Sequence, residues 1–138
     1  MIVDRAFEEI RIGDKASLEK TINEEEVAGF ASVVGDFNPI HLDEEYARQS
    51  RFKRRVVHGM LSVSLVSAVL GTNLPGANTI YLAQEVNFRA PVFLGDTLRA
   101  EVEVLEKREE SRIIILRTTV TNQAGRMVVE GWARVMKP

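Results

Sequence analysis

The chain has 138 residues, of which 45% are hydrophobic and 28% are charged, and its formal net charge is −2. This length and composition predict one globular domain over residues 1–138, and the balanced charge excludes the basic footprint of a nucleic-acid-binding protein. The absence of cysteine excludes disulfides, thiol nucleophiles and cysteine-ligated metals, and it fits a reducing cytoplasm.

The first part of the chain predicts a strand followed by two helices. Residues 1–11 contain no long apolar run, so neither a signal peptide nor a membrane span is expected there. Residues 16–22 alternate as a short strand does. Asn23 then favours a helix start, and the helix should end near Gly35 after an apolar stripe formed by Val27, Phe30, Ala31 and Val34. A short second helix is expected at 43–49.

A long helix and four strands are expected next. Residues 58–72 contain no Asp, Glu, Lys or Arg and are apolar on every face, which is typical of a buried helix. The later strand-like runs are 79–88, 97–107, 112–122 and 127–136. Their short connections require antiparallel pairing, so an antiparallel meander should cover the helix. The predicted class is α+β, with an antiparallel sheet wrapped around a long central helix.

The stretch from Gly35 to His41 combines a carboxylate, an amide and an imidazole around a proline. Asn38 precedes this proline and is therefore biased away from helical dihedrals, so the chain should turn here. Across such a turn, Asp36 and His41 can converge on one water molecule, which suits the addition or removal of water. The alternative is that Asp36 caps a turn and His41 is a structural imidazole.

This stretch resembles the signature of the MaoC-like dehydratase family, which continues with a small residue six positions after the histidine, here Ala47. The segments 57–67 and 88–96 resemble the family's central-helix entry and its strand-to-turn segment. The chain is most similar to the small stand-alone (R)-specific enoyl-CoA hydratases that feed polyhydroxyalkanoate synthesis.

The resemblance implies a hot-dog fold, a cytoplasmic homodimer joined through its sheets, and active sites near the subunit interface. A domain this small also suggests a homo-oligomer, because a second subunit can be needed to complete its site. The implied activity is that of a hydro-lyase of fatty acid metabolism, which reversibly hydrates trans-2-enoyl-CoA to (R)-3-hydroxyacyl-CoA. Its substrate is a coenzyme A thioester, and no cofactor, nucleic acid or membrane partner is expected.

In the implied mechanism, Asp36 and His41 are the catalytic pair that holds the water. Asn38 can orient this pair or simply form the turn. Gly59 lies at the start of the long helix, where free N–H groups can bind the thioester oxygen, or it can serve close packing. Ser67 has an orienting role by resemblance, and Leu70 can bound the acyl pocket or pack in the core.

His58 is the only other histidine, so we expect a cap or packing residue and no multi-histidine metal site. The remaining serines of the long helix are expected to bond back to carbonyl groups one turn earlier. The densest basic cluster could contact the phosphates of coenzyme A or could be an ordinary solvated loop, and it consists of Arg51, Lys53, Arg54 and Arg55.

Three other functions compete with the hydratase. The first is a dehydratase acting on acyl carrier protein in fatty-acid synthesis, and the second is a hot-dog thioesterase. The third is a non-catalytic subunit that binds acyl thioesters, against which the intact Asp36 and His41 argue. The chain has neither a nucleotide-binding glycine loop nor a Gly-x-Ser-x-Gly elbow, so a redox cofactor and a serine hydrolase are not expected.

Overall fold

A computed structural model describes every residue from Met1 to Pro138. A long helix packs against a five-stranded antiparallel sheet, which confirms the α+β hot-dog class. The elements in chain order are a 3-10 turn (Phe7–Glu9), β1 (Lys15–Thr21), α1 (Glu24–Val34), α2 (Pro39–Leu42), α3 (Glu44–Arg48), α4 (Gly59–Thr72), β2 (Ile80–Phe88), β3 (Thr97–Arg108), β4 (Ile113–Thr121) and β5 (Met127–Met136).

The strand order is β1-β3-β4-β5-β2, and every neighbouring pair is antiparallel. Strands β3 to β5 form the expected meander. The simple meander predicted for all four later strands is wrong, because β2 pairs with β5 and not with β3. The segment between β2 and β3 is too long for a tight hairpin, so it carries the chain from one edge of the sheet into its interior.

The core lies between α4 and the sheet, where 23 buried residues form one cluster. Helix α4 contacts β1, β3 and β4. Alternate side chains of β3 and β4 are fully buried, as expected for strands that cover a core with one face. Their inward-facing residues are Leu98, Ala100, Val102, Val104, Ile114, Leu116, Thr118 and Val120.

Helix α1 delivers the chain to the conspicuous turn. Asn23 and Glu26 form a reciprocal capping box at its start. Gly35 ends it with φ +82°, a left-handed conformation that a residue with a Cβ adopts at a cost. Of the expected apolar stripe, only Val27 and Ala31 are buried, since α1 lies at the side of the domain.

Helix α4 is buried on one side only, so the expectation of burial on every face is wrong for the single chain. Met60, Ser64 and Ser67 are exposed along one line of the helix. They lie beside β2, where cover from the sheet ends. None of the helices combines the length and the apolar character that crossing a membrane requires.

Candidate active site

Three segments of the chain meet around one cavity of about 520 Å³. They are the turn between α1 and α2, the segment that leads into α4, and the segment that follows β2. The cavity lining includes Asn38, His41, Arg51, Gly59, Ser62 and Phe88. The conspicuous sequence motif therefore lies at a cavity large enough to hold part of a substrate.

The turn before α2 is fixed by two local side-chain hydrogen bonds. The Asn38 side-chain oxygen accepts from the backbone N–H of Ile40 at 3.2 Å, which caps α2, and Pro39 occupies the first helical position. The Asp36 carboxylate accepts from the backbone N–H of Asn38 at 3.2 Å. His41 thus stands on a short helix and not in an open turn, and the oxygen of the Asn38 amide is already used locally.

The structure brings Asp36 and His41 together. Ligand atoms of their side chains lie within 4.8 Å of each other, which allows one water molecule to bridge them. The Nδ1 atom of His41 lies 2.8 Å from the carbonyl oxygen of Val56. Because a carbonyl can only accept, Nδ1 carries the proton, and Nε2 of the neutral ring is left as a base.

The surroundings of His41 favour this neutral form. Desolvation by burial lowers the pKa of His41 below its ordinary value, and the neighbouring His58 lowers it further. The hydrogen bond to Val56 and the charge of Asp36 act in the opposite direction and do not cancel the burial. Asp36 itself is exposed in the single chain.

His58 is a third member of this cluster. Its ring is stacked on the His41 ring with centroids 3.9 Å apart and an angle of 28°, and it is 1% exposed. Of the two roles expected for His58, the structure fits packing, because the side chain makes no capping hydrogen bond at α4 and Nε2 donates to the backbone oxygen of Asp36 at 3.0 Å.

Asp36, His41 and His58 are close enough to suggest a metal site. The ring geometry argues against one, since stacked imidazoles direct their nitrogen lone pairs side by side and not toward one point. The cluster therefore suits proton transfer and hydrogen bonding better than metal binding.

The start of α4 has free backbone donors, one of which, the N–H of Gly59, lies at the cavity. The N–H groups of Gly59 and Met60 have no acceptor within the protein, and Gly59 lines the cavity with His41. A Cβ at Gly59 would lie 2.7 Å from the Phe88 ring, so this glycine also permits close packing. Both sequence interpretations of Gly59, as a donor and as a packing residue, are compatible with the structure.

Two of the expected site residues lie elsewhere. Ser67 is exposed and lines a second cavity of about 410 Å³ between α4 and β2, so a single chain does not bring it to Asp36 and His41. Leu70 is 1% exposed within the core cluster and lines neither cavity. The core role weighed for Leu70 is thus the one that the structure gives it, because this side of α4 faces the sheet.

The basic cluster divides into outward and inward residues. Arg51 lines the main cavity, and Lys53 and Arg54 are exposed near it, with the Arg54 guanidinium 3.6 Å from the centre of the Phe93 ring. Arg55 corrects the expectation of phosphate contact. Its Nε donates to the backbone oxygen of His41 at 2.7 Å.

Of the two terminal nitrogens of Arg55, Nη1 is paired and Nη2 is buried without a partner. One terminal nitrogen pairs with Glu24 at 2.6 Å, and the side chain is only 12% exposed. Arg55 therefore ties α1 to α2 and has little freedom to reach a phosphate group.

Sequence reasoning missed two cavity residues. Arg89 lines the cavity and forms an ion pair with Glu130, with Nε 2.9 Å from Oε1. Its place directly after β2, in the family-like segment 88–96, was the available signal. Ser62 is buried in the cavity lining with no partner for its hydroxyl, whereas Ser64 makes the expected bond to the Met60 carbonyl.

Comparison with known proteins adds independent information. Residues 9–125 match the family model described as MaoC like domain. An (R)-specific enoyl-CoA hydratase of Rhodospirillum rubrum is 48% identical over 132 residues, which cover 96% of this chain and 91% of the relative. A solved structure, described as an (R)-hydratase from A. caviae involved in PHA biosynthesis, has a TM-score of 0.91 and 46% identity, covering 94% of this chain and 98% of that one.

A more distant relative acts on another carrier. It is a mitochondrial 3-hydroxyacyl-acyl-carrier-protein dehydratase of Arabidopsis thaliana, 31% identical over 132 residues, which cover 94% of this chain and 78% of the relative. Each of these similarities extends over nearly the whole chain.

Proposed function

Since this chain belongs to the MaoC-like family, we propose that it is an (R)-specific enoyl-CoA hydratase. It is a hydro-lyase that adds water to trans-2-enoyl-CoA and forms (R)-3-hydroxyacyl-CoA, and it also catalyses the reverse dehydration. We treat residues 1–138 as one domain, which the single core cluster supports. A cytoplasmic location belongs to the proposal and fits the absence of cysteine.

The observation that carries the proposal is the Asp36–His41 pair, with the basic nitrogen of His41 left free by its bond to Val56. A water held by both side chains gives one proton to the pair, and its oxygen forms a bond to C3 of the enoyl group. The pair returns one proton to C2, and the carbon–carbon double bond becomes single. The pair ends as it began, so the step balances with water alone and needs no cofactor.

Negative charge develops on the thioester oxygen while C3 is attacked. The free N–H group of Gly59 at the start of α4 is placed to stabilise it, because it is an unpaired donor that lines the cavity at the positive end of a helix dipole. Asn38 lines the same cavity and is assigned a supporting role in holding Asp36.

The carrier is proposed to be coenzyme A, whose phosphates the exposed basic residues near the cavity can attract. Arg51 and Arg89 line the cavity itself, and Lys53 and Arg54 lie on the neighbouring loop. By analogy with the relative from A. caviae, the (R)-3-hydroxyacyl product would serve polyhydroxyalkanoate synthesis.

We further propose a homodimer that forms through β2. This strand is at one edge of the sheet and exposes apolar side chains, among them Ile80, Tyr81 and Leu82. The exposed line of α4 and the second cavity lie directly beside it. A partner subunit placed here would cover Ser67 and would bring additional side chains close to the substrate.

The test of the hydratase proposal is loss of enoyl absorbance with crotonyl-CoA, combined with chiral analysis of the product. The wild-type protein should give (R)-3-hydroxybutyryl-CoA. Asp36→Asn and His41→Ala should each lower kcat at least about 100-fold, since acid–base groups contribute this much or more. Asp43→Asn is the matched control, because Asp43 only caps α3. The kcat of this variant should equal that of the wild type. Near-normal turnover by either pair variant would refute the assignment.

The acyl-carrier-protein dehydratase is the second candidate, and the Arabidopsis relative is the observation that favours it. Crotonyl thioesters of coenzyme A and of acyl carrier protein should be compared at equal concentration. A higher kcat/KM for the thioester of acyl carrier protein than for that of coenzyme A would favour the acyl-carrier-protein dehydratase over the enoyl-CoA hydratase. Release of free thiol would indicate a thioesterase, and binding without turnover would indicate a non-catalytic subunit.

A further inference from the structure

His58 makes contacts that neither a helix cap nor a simple packing residue requires. Its ring is stacked on the His41 ring, with the ring centroids 3.9 Å apart, and it contacts the Phe30 ring of α1, with the centroids 5.0 Å apart. Its Nε2 atom donates to the backbone oxygen of Asp36. One buried side chain therefore touches both members of the proposed catalytic pair.

The hydrogen bond to Asp36 is the only one made by the backbone of that residue. Neither its N–H nor its carbonyl has another partner in the protein. The preceding Gly35 is in the left-handed conformation, and the turn is exposed. Without His58, the main chain of Asp36 would be held only through its own side chain, which accepts from Asn38.

The tautomer of His58 follows from its partners. The Asp36 carbonyl only accepts, so Nε2 carries the proton. The Nδ1 atom is buried without a partner, which suits a bare lone pair better than an N–H group in need of an acceptor. The ring is too deeply buried to reach the substrate, so it can act only through its neighbours.

We propose that His58 is a positioning residue, which fixes the main chain of Asp36 with Nε2–H and the plane of the His41 imidazole by ring stacking. This inference rests on the proposed hydratase function. The one side chain thus has two tasks. Its hydrogen bond fixes the position of the Asp36 carboxylate, and its ring stacking fixes the orientation of the His41 imidazole.

The stack also influences proton affinity at His41. Burial is the main reason why the pKa of His41 lies below its ordinary value, and the His58 ring covers one face of it. The charged groups nearby are Asp36 from the turn, Arg55 with its partner Glu24, and the cavity residues Arg51 and Arg89. A variant that loses the His58 ring but keeps a donor to the Asp36 carbonyl leaves these groups in place, so a change in its His41 titration can be assigned to the lost ring.

Two substitutions separate the two tasks. His58→Phe keeps a ring against His41 and loses the donor to Asp36, whereas His58→Gln keeps a donor at the position of Nε2 and loses the ring. We expect His58→Phe to lower kcat for crotonyl-CoA about 10- to 100-fold with KM changed less than about 3-fold, because the pair is displaced and the substrate pocket is not. His58→Gln should restore most of kcat.

The pH dependence provides the complementary readout. In His58→Gln, the acid limb of kcat/KM should move to higher pH, since water regains one face of His41 and the protonated ring is better solvated. In His58→Phe, this limb should stay close to that of the wild type. Equal kcat and equal acid limbs in wild type and both folded variants would overturn the proposal.

NMR of the imidazole nitrogens tests the inference without turnover. The chain has only two histidines, so each His58 variant leaves His41 as the single signal. The wild-type spectrum at about pH 8, where histidine is neutral, should show His58 with its proton on Nε2. A proton on Nδ1 would overturn the proposal even if a variant failed to fold.

The same spectra separate the two hypotheses. If the wild type does not hydrate crotonyl-CoA, the hydratase proposal fails, and the His41 titration in His58→Gln still decides the positioning role. An unshifted titration midpoint would overturn that role.

Discussion

At the scale of single residues, the proposed base of this site is defined by a hydrogen bond of its other ring nitrogen. The carbonyl of Val56 holds Nδ1 of His41 and thereby leaves Nε2 toward the cavity. Val56 precedes α4, so the orientation of the imidazole depends on where that helix begins. The same hydrogen bond thus fixes the position of the His41 ring and selects the nitrogen that is free to act as the proposed base.

The lowered pKa of His41 predicts activity at more acidic pH than an ordinary histidine would allow. The proposed base is the neutral ring, so the acid limb of kcat/KM should have its midpoint below about pH 6.5, the usual histidine pKa. A profile of kcat/KM for crotonyl-CoA between about pH 4.5 and 8 measures it. A midpoint above 6.5 would contradict the buried, neutral base.

The same shift has a consequence for stability. The pKa of His41 is about 6.5 in the unfolded chain and lower in the folded protein. At pH values between these two pKa values, the unfolded chain binds more protons than the folded chain. The contribution of His41 to stability is therefore complete above 6.5 and falls as the pH falls through this window. His41→Gln should remove that part of the pH dependence in urea unfolding curves.

The site residues that the sequence could predict were those whose role depends on neighbouring residues in the chain. Asp36 and His41 could be assigned together because the Asn-Pro turn predicts their convergence, although their catalytic roles stay a prediction. The stacking of His58 could not be predicted, since it depends on how α4 approaches the turn. Arg55 was misjudged for a similar reason, because its inward direction is set by Glu24 on another helix.

At the scale of elements, Arg55 connects α1 and α2 to the segment that leads into α4. It lies in the segment before α4 and bonds both to Glu24 at the start of α1 and to the backbone of α2. The Arg55 side chain is largely buried, whereas the Glu24 carboxylate is exposed to solvent. The bond to the His41 carbonyl should accordingly contribute more than the pair with the exposed carboxylate.

Arg55→Ala should destabilise the protein by about 1.5–3 kcal/mol, the usual range for a hydrogen bond that involves a charged group. Glu24→Gln should cost less than about 1 kcal/mol, because an exposed ion pair contributes little. Urea unfolding of the two variants measures the difference. A larger effect for Glu24→Gln than for Arg55→Ala would contradict this ranking.

Element prediction succeeded where the pattern was local. The bounds of β5 and the caps of α1 followed directly from alternation and from capping residues. The position of β2 beside β5 could not be derived, because nothing in a strand's own sequence states which partner it finds across 40 or more intervening positions. The exposed side of α4 was missed since serine and methionine are also common in buried helices.

At the scale of the whole molecule, the two edges of the sheet differ in character. Edge strand β1 carries Lys15, Glu19 and Lys20, and charged side chains of this kind prevent pairing with another sheet. Edge strand β2 instead exposes Ile80 and Leu82. This asymmetry is what supports β2 as the proposed dimer edge.

Leu82→Arg should therefore convert the dimer to a monomer, or weaken it at least about 10-fold in Kd, since it places a charge in an apolar interface. Leu105→Arg is the matched control, because Leu105 on β3 is 47% exposed against 41% for Leu82. Sedimentation velocity over a range of protein concentrations measures the mass. A Leu82→Arg protein that stays dimeric, or a wild type that is monomeric, would refute the proposed interface.

The strand order also has a consequence for synthesis on the ribosome. Strand β2 pairs only with β5, which is the last strand to be made. At a translation rate of about 5–20 residues per second, β2 is exposed for several seconds before its neighbour exists. During that interval α4 has left the ribosome without its complete sheet. The nascent chain therefore carries β2 without its only neighbouring strand until β5 emerges, and its apolar side chains Ile80, Tyr81 and Leu82 are open to chaperones during that interval.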